Sequence, residues 1–325
     1  MPRFLVTLAI VLLSTPISNA QAPARRCASC DQVIMDEYLT VKGRFFHPDH
    51  FVCAYCGKTI DELYVPVDND FYHGDCYQKR FVVVCHVCNK VVLDNYVEDF
   101  WGNRAHAAHR AETPSCDFCQ RFIAGGFAAD AVTLPDDRRL CGICAATSVT
   151  TPARTAELAR MVSSSLDARG VHVPTDDISF LLLGKEKMRK MSPDPESHAL
   201  GFTDFQTTPT NDSGHVAYCN IVVLNGMPEI QMAATLAHEL MHVWLFKTGV
   251  KPVSTPWLEG SCEYASYLVM SEMESKESQF IRHNIEANTD SAYGGGFRQV
   301  KHFVEKNGVE GWLDALRPPP PPAGE

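Results

Sequence analysis

The sequence lacks two features that mark large classes of protein. It has 29 Lys and Arg against 39 Asp and Glu, a formal net charge of −10 at pH 7, so it has no basic excess of the kind that nucleic-acid-binding proteins carry. No apolar run approaches the roughly 18 residues that a membrane-spanning helix needs. With 45% hydrophobic and 21% charged residues, the 325-residue chain is too apolar to be disordered. We therefore expect two or three packed, soluble domains that do not bind nucleic acid.

The first 20 residues have the pattern of a secretory signal. Arg3 precedes an apolar run from Phe4 to Leu13, and the segment ends with Ser18, Asn19 and Ala20, small residues of the kind found before a cleavage site. Ten residues cover about 15 Å as a helix against roughly 30 Å of hydrocarbon, which argues against a permanent anchor. The sequence predicts a signal peptide, 1–20, that is cleaved after Ala20, and a secreted or periplasmic protein without membrane contact afterwards.

Paired cysteines and histidines dominate residues 27–144. Thirteen cysteines would form about 0.5 C-x-x-C pairs by chance, whereas five are present. Two His/His pairs and one His/Cys pair with the same two-residue gap bring the total to eight pairs, enough for four tetrahedral zinc sites. In chain order the four predicted ligand sets are Cys27, Cys30, His47 and His50; Cys53, Cys56, His73 and Cys76; Cys85, Cys88, His106 and His109; and Cys116, Cys119, Cys141 and Cys144.

A disulfide framework is the alternative, since a secreted chain permits one. It fits poorly, because the number of cysteines is odd and because histidines at matching positions have no role in it. Each zinc site would have four protein ligands and no open position for a substrate. The four zinc ions are therefore expected to be structural and to contribute the folding free energy of modules with little apolar core.

The gaps between pairs divide this region into two modules. In residues 21–80 the gaps are 16, two and 16 residues, the spacing of a complete LIM domain. In residues 81–148 they are 17, six and 21, so this module resembles a divergent LIM domain. Its longer central gap makes His106 and His109 weaker ligand candidates than its cysteines.

A different metal motif lies within residues 149–316. A predicted helix from Glu229 to Thr248 contains His238, Glu239 and His242 in the H-E-x-x-H arrangement. Histidines four residues apart lie on one face of a helix, so both imidazoles can bind one zinc ion, with Glu239 beside it. Zinc lowers the pKa of its bound water from 15.7 toward about 7, and Glu239 is the expected base that takes the proton.

The third ligand of this site is expected from a second predicted helix that follows Pro256. Glu259 is the favoured ligand, and the resulting His/His/Glu set leaves a fourth position for water. Glu263, one turn later, competes for the same role; otherwise it would accept a hydrogen bond from the free ring nitrogen of a zinc-bound histidine. Tyr293 is the candidate for stabilising the oxyanion of the transition state, ahead of Tyr264, Tyr267 and His283.

Other segments of this region have weaker patterns. Residues 153–170 and Phe297 to Lys306 are predicted helices, the latter followed by a short second helix to Leu316. Ile178 to Leu183 and Tyr218 to Leu224 are predicted strands. Residues 192–214 show no clear period, which predicts a loop or an irregular hairpin.

The zinc modules combined with residues 237–244 and with Leu258-Glu259-Gly260-Ser261-Cys262 resemble the LIM-domain peptidases of the plant organ-size (DA-type) family. The resemblance covers about residues 27–316. It implies an α+β fold class: tandem LIM-type zinc fingers of small β hairpins, then a mostly helical zincin-like (gluzincin) metallopeptidase domain, 149–316. After it, the proline run predicts a Pro-rich tail, 317–325. The resemblance also implies one catalytic and four structural Zn²⁺ ions.

The same resemblance implies a function. It predicts a zinc metallopeptidase, an endopeptidase that hydrolyses protein substrates, with the LIM region binding protein partners. Plant members carry ubiquitin-binding motifs before the fingers, where this chain has its predicted signal, so a link to ubiquitin is not transferred. The alternative is a non-catalytic LIM-type binding module with an inert peptidase-like domain. Glu239 argues against it, because a structural zinc site needs no adjacent base.

Overall fold

The computed structural model describes residues 24–192, 199–208, 215–250 and 254–317, without the side chains of 206–208 and 215–218. The predicted signal peptide and the proline run that follows residue 317 lie outside these residues. Within them, the chain divides into two compact units, one of residues 24–85 and 90–95 and the other of residues 86–89 and 96–317.

The first unit consists of two antiparallel hairpins and one helix. Gly43, with a φ of +75°, supplies the left-handed conformation that the tight turn of the first hairpin requires. The core is small and largely aromatic, with Phe46, Phe51 and Phe71 packed edge to face or tilted against one another. The elements are β1 (Leu39–Val41), β2 (Arg44–Phe46), β3 (Tyr64–Val67), β4 (Asp70–His73) and α1 (Gly74–Phe81).

The second unit begins with short hairpins of the same kind. Strand β5 pairs with β6 and β7 pairs with β8, all antiparallel, and a short helix follows each pair. These elements are β5 (Tyr96–Glu98), β6 (Arg104–His106), α2 (His109–Glu112), β7 (Val132–Thr133), β8 (Arg139–Leu140), α3 (Gly142–Ala146) and β9 (Ser148–Val149).

A largely helical part completes the second unit. Serine or threonine caps begin three of its helices, because the side chains of Thr151, Ser254 and Ser275 accept backbone N–H groups of the first turn. The elements are α4 (Pro152–Asp167), β10 (Ile178–Leu183), α5 (Lys185–Met191), β11 (Gly201–Thr208), β12 (His215–Leu224), β13 (Met227–Pro228), α6 (Glu229–Lys247), α7 (Thr255–Ser271), α8 (Lys276–Ala287) and α9 (Gly294–Leu316).

A three-stranded sheet lies beside these helices. Its order is β10, β12, β11, with β12 parallel to β10 and antiparallel to β11. Helix α6 follows the sheet and is buried along most of its length, which agrees with its nearly continuous apolar sequence. The ligand cysteines Cys116, Cys119 and Cys141 belong to the same apolar core as these helices. The later zinc-finger hairpins and the helices therefore share one core.

The structure bears out the helical and strand predictions more fully than the loop prediction. Helix α9 breaks at Gly308, with a φ of +74°, where the sequence predicts two helices. The segment 192–214 contains strand β11, 201–208, which pairs antiparallel with β12 and whose register shifts between Gln206 and Thr207. Of the two alternatives for this segment, the irregular hairpin is therefore closer than the loop. This strand has no alternating pattern of its own and forms through pairing with β12. The fold is thus a LIM zinc-finger region followed by a largely helical, mixed α/β domain.

Candidate metal centres and active site

Four sets of four side chains converge in the Cys/His-rich region. In each set the ligand atoms all lie within 4.8 Å of one another. All 13 cysteines are free thiols, so no disulfide competes with metal binding. The sets coincide with those the sequence predicts: Cys27, Cys30, His47 and His50; Cys53, Cys56, His73 and Cys76; Cys85, Cys88, His106 and His109; and Cys116, Cys119, Cys141 and Cys144.

In the first two sets, hydrogen bonds to the backbone favour the thiolate form of two cysteines and the metal-binding tautomer of a histidine. Backbone N–H groups lower the pKa of Cys27 to about 5 and that of Cys53 to about 6, although burial acts in the opposite direction. The lowered pKa favours the thiolate, the form that binds metal. His73 turns its Nε2 to the carbonyl oxygen of Thr59, 3.1 Å away, and its Nδ1 to Cys56 Sγ at 3.5 Å. The hydrogen bond to Thr59 selects the tautomer that leaves Nδ1 free for an ion.

The other two sets differ in burial. Cys88 Sγ lies 3.6 Å from His106 Nδ1, and the ring centroids of His106 and His109 are 5.2 Å apart, so both histidines belong to their set in spite of the longer gap before Cys116. In the fourth set all four cysteines are buried, with Cys119 Sγ 3.6 Å from Cys141 Sγ. Ligands about 2.3 Å from a tetrahedral ion are separated by roughly 3.8 Å, which agrees with that distance.

Helices α6 and α7 form a fifth constellation in the second unit. His238 and His242 lie one turn apart on α6, and their Nε2 atoms are 3.2 Å apart. The Oε2 atom of Glu259 on α7 lies 3.4 Å from His238 Nε2 and 3.5 Å from His242 Nε2. Three ligand atoms about 2.0 to 2.1 Å from a tetrahedral zinc ion would be separated by roughly 3.3 to 3.4 Å. The triangle formed by His238 Nε2, His242 Nε2 and Glu259 Oε2 therefore has the dimensions that a zinc ion requires.

The charges at this triangle also fit a cation. Glu259 Oε2 is buried and has no hydrogen-bond partner among the described residues, which is consistent with an oxygen that binds a metal ion. Burial disfavours the charged form of Glu259, but the two imidazoles lower its pKa to about 2. Burial likewise disfavours a charged His238, yet Glu259 and Glu263 raise its pKa well above the ordinary range. The site thus attracts positive charge, as a metal centre does.

Glu263 occupies a position different from that of Glu259. Its Oε1 lies 3.2 Å from Nδ1 of His238, the ring nitrogen that faces away from the triangle. An acceptor at Nδ1 holds the tautomer that presents Nε2 to an ion. Cys262 also lies within 4.8 Å of both imidazoles. Burial and the nearby carboxylates raise the pKa of its thiol well above the ordinary value, which keeps it protonated and makes it a poor ligand.

Glu239 is 3% exposed and lies against strand β11. Thr203 donates a hydrogen bond from its Oγ1 to Glu239 Oε2 at 2.8 Å. A Cβ at Gly201 would come within 3.0 Å of Glu239 Oε1 and within 2.8 Å of Thr235 Cγ2, so only glycine lets the strand approach this closely. The carboxylate is therefore oriented by the edge of the sheet. Thr203 and Gly201 are not evident from the sequence, because their approach to α6 depends on the position of β11.

Tyr293 lies at the beginning of α9, next to the triangle. Its ring is nearly parallel to that of His238, with centroids 6.1 Å apart, and burial and the site carboxylates raise the pKa of its phenol to about 12. A neutral phenol is a hydrogen-bond donor. Asp290 Oδ1 accepts the backbone N–H of Tyr293 at 2.9 Å and so fixes the turn before the helix.

The other aromatic candidates are engaged elsewhere. Tyr264 packs against Trp312, and the hydroxyl of Tyr267 lies 3.5 Å from Lys301 Nζ. His283 stacks on Phe100. The described residues that line the cleft beside His238 do not include Tyr264, Tyr267 or His283.

A cleft of about 670 Å³ opens beside the triangle. His238, Glu239, Glu263 and Tyr293 line it, as does Gly201 of β11. A volume of this size is typical of sites that bind small molecules or short peptide segments. The structure thus brings the predicted catalytic residues Glu239 and Tyr293 to the wall of a cleft together with His238, while His242 and Glu259 complete the triangle beside it.

Comparison with known protein families gives two matches. Residues 27–81 match the model of the LIM domain, and residues 167–277 match a DA1-like model described as Protein DA1. The chain is thus similar in both regions to proteins of the DA1 family. The LIM and DA1-like regions together indicate a LIM-containing regulatory protein, and its Cys/His clusters indicate structural zinc. LIM domains in general mediate contacts between proteins.

Individual relatives are plant proteins. The chain is 25% identical to Protein DA1-related 2 of Arabidopsis thaliana over 90% of its length and 69% of the relative. It is 23% identical to Protein DA1 of the same plant over 74% of its length and 57% of the relative. It is 24% identical to the LIM domain-containing protein HDR3 of Oryza sativa subsp. japonica over 93% of its length and 75% of the relative. The chain therefore spans between about half and three quarters of these relatives.

Proposed function

We propose that the chain is a zinc-dependent endopeptidase whose LIM region binds protein partners. The observation that carries the proposal is the triangle of His238, His242 and Glu259, in which the buried Oε2 of Glu259 lies within 3.5 Å of both imidazoles. This oxygen has no hydrogen-bond partner among the described residues. A structural zinc site is closed by four protein ligands, whereas this triangle supplies three, and one of them, His238, lines a cleft. The neighbouring Glu239 adds a buried base that a structural site would not need.

His238, His242 and Glu259 would hold the zinc ion. When bound, zinc lowers the pKa of a coordinated water and polarises the carbonyl of the scissile peptide bond. Glu263 keeps His238 in the tautomer that presents Nε2. Because Glu259 is already ionised at neutral pH, the site offers zinc a preformed anionic ligand.

The remaining residues move and bind protons. Glu239 accepts a proton from the attacking water and later returns it to the leaving amine, while Thr203 holds one of its oxygens in place. Tyr293 donates a hydrogen bond from its phenol to the oxyanion, since its raised pKa keeps the proton on the oxygen. Strand β11 borders the cleft and is an edge of its sheet among the described strands, so an extended peptide can pair with it.

The proposal is tested by replacing Glu239 with Gln in the full chain. We expect hydrolysis of a casein substrate to fall by at least about 10³-fold, because the base that accepts the proton is lost. Zinc content should stay unchanged, because Glu239 is not a ligand. The matched control is Glu272→Gln at the end of α7, away from the cleft, which should leave hydrolysis intact. If the wild-type protein and Glu239→Gln are equally inactive, the chain is a binding protein with an inert peptidase-like domain.

A further inference from the structure

A second pocket of about 280 Å³ adjoins the cleft on the side of the fourth cysteine set. We call it the end pocket; it is lined by Asp117, Phe118, Glu263, Ile281, Asn284 and Ile285. Glu263, Ile281 and Ile285 also line the cleft, so the two spaces lie side by side. A peptide in the cleft can therefore place one side chain in the end pocket.

One wall of the end pocket is the turn between two zinc ligands. Asp117 and Phe118 are the two residues between Cys116 and Cys119, and all four cysteines of that set are buried. Trp101 and Arg121, which contact this turn and its surroundings, attach it to α8. Trp101 donates a hydrogen bond to the carbonyl of Cys119 at 2.7 Å and stacks under the guanidinium of Arg121.

Arg121 completes the attachment. It pairs with Glu277 at the beginning of α8, with 3.0 Å between Nη2 and Oε1, and its side chain is only 7% exposed. Lys276 donates to the carbonyl of Trp101 at 2.9 Å. The metal ligands and these contacts hold the Asp117 turn at a defined distance from the opposite wall, as a selective pocket requires.

The opposite wall is one face of α8. Ile281, Asn284, Ile285 and Asn288 are spaced by three, one and three residues, so they lie along one side of the helix. Phe118 and Ile281 are buried and provide an apolar floor. Asp117 is exposed at the rim, and one of its oxygens accepts the backbone N–H of Arg139, which orients the carboxylate.

The chemistry of the end pocket fits a long cationic side chain. Among the described residues that line the end pocket and the cleft there is no lysine or arginine, whereas Asp117, Glu263 and Asp290 all carry carboxylates. Lysine and arginine bury an apolar stem while keeping the charged group near polar atoms. An apolar floor with a carboxylate and amides at the rim matches both parts of such a side chain.

We propose, on the basis of the peptidase function above, that the end pocket binds a lysine or arginine side chain of the substrate, and that Asp117 determines this specificity. The substrate class is then an extended peptide segment with a basic residue at a fixed distance from the scissile bond. The turn of a structural zinc site thereby takes part in substrate selection.

Hydrolysis of a peptide library tests the pocket. The full chain is incubated with internally quenched octapeptides in which each position in turn is randomised. We expect Lys or Arg to be enriched at one position relative to the cleaved bond. For the best peptide, kcat/KM should exceed that of its norleucine analogue, and Asp117→Asn should reduce this ratio about 5-fold. Asp117→Lys should reverse the preference toward Asp or Glu.

Asp137→Asn is the matched control, because it removes the same charge from an exposed loop of the same module. Its ratio should equal that of the wild type, and zinc content and thermal unfolding should be the same in all variants. An unchanged ratio in Asp117→Asn, or a wild-type preference for apolar residues at that position, would overturn the inference while leaving the peptidase function intact.

Measurements of peptide binding distinguish the proposal on the end pocket from the proposal of peptidase activity. Calorimetry with Glu239→Gln compares the Kd of an acetylated, amidated octapeptide containing one central lysine with that of its norleucine analogue. The lysine peptide should bind about 5-fold more tightly, and the difference should vanish when Asp117→Asn is added. If the wild type hydrolyses nothing but this binding difference persists, the peptidase function fails and the pocket remains. Equal affinities contradict the pocket whatever the activity.

Discussion

Glu259 and Glu263 lie one turn apart on α7 and approach different nitrogens of the same imidazole. Glu259 joins Nε2 of His238 in the triangle, whereas Glu263 lies beside Nδ1. The sequence favours Glu259 as the ligand but does not exclude Glu263, because both carboxylates share one face of the helix. The distances from the two carboxylates to His238 assign them different roles in the proposed zinc site. These distances depend on how α7 is oriented relative to α6, which the sequence does not display.

Tyr293 supports a prediction at this scale. Tyr293→Phe removes only the phenolic hydroxyl, so kcat should fall about 10²-fold while KM changes little, because a hydrogen bond to the oxyanion is formed mainly in the transition state. Steady-state kinetics with the best library peptide measure both constants. Tyr267→Phe, whose hydroxyl contacts Lys301 away from the cleft, should have little effect. Equal losses in the two variants, or a change confined to KM, would contradict the role of Tyr293.

At the level of elements, local sequence predicts the helices of the site and not the strand that faces them. Helix α6 is predicted because its apolar residues and its H-E-x-x-H motif are contiguous in the chain. Strand β11 has no clear period of its own, so the sequence leaves a loop and an irregular hairpin open, and only the pairing with β12 decides between them. Thr203 and Gly201, which orient Glu239, were therefore missed, as were Asp117 and Phe118 at the end pocket.

Glycines allow α7 and α9 to approach until their backbones touch. A Cβ at Gly296 would lie 1.9 Å from the carbonyl oxygen of Pro256 and 3.0 Å from Gly260 Cα. Gly260 is adjacent to Glu259, and Gly296 is three residues from Tyr293. The close approach of the two helices therefore brings a proposed zinc ligand and the proposed oxyanion donor to the same site.

Gly296→Ala should separate these helices. We expect it to lower the free energy of unfolding by about 2 kcal/mol or more and to lower hydrolysis in the fraction that remains folded. Gly295→Ala is the control, because its Cβ would meet only the Asp290 carbonyl oxygen at an ordinary 3.5 Å. Thermal unfolding measures the first effect, and peptide hydrolysis per folded molecule measures the second. Equal stability of the two variants would show that the helices do not need this contact.

At the scale of the whole molecule, the zinc ligands recur at spacings that the sequence displays directly. The four sets of zinc ligands follow from pairs with two residues between them, so they are predictable without tertiary information. The shared core of the later hairpins and the helices is not predictable in this way, because it depends on contacts such as that between Trp101 and Arg121. No helix in the described part of the chain is long and apolar enough to cross a membrane. Cleavage after Ala20 and export stay predictions.

The central claim is that the triangle on α6 and α7 holds one catalytic zinc ion in addition to the four structural ones. Its most direct test is the zinc content of the wild type and of His242→Ala, measured with peptide hydrolysis on the same samples. The account predicts five zinc ions per wild-type chain, four in the variant, and hydrolysis only in the wild type. An active wild-type protein with four zinc ions, or full activity in His242→Ala, would contradict it.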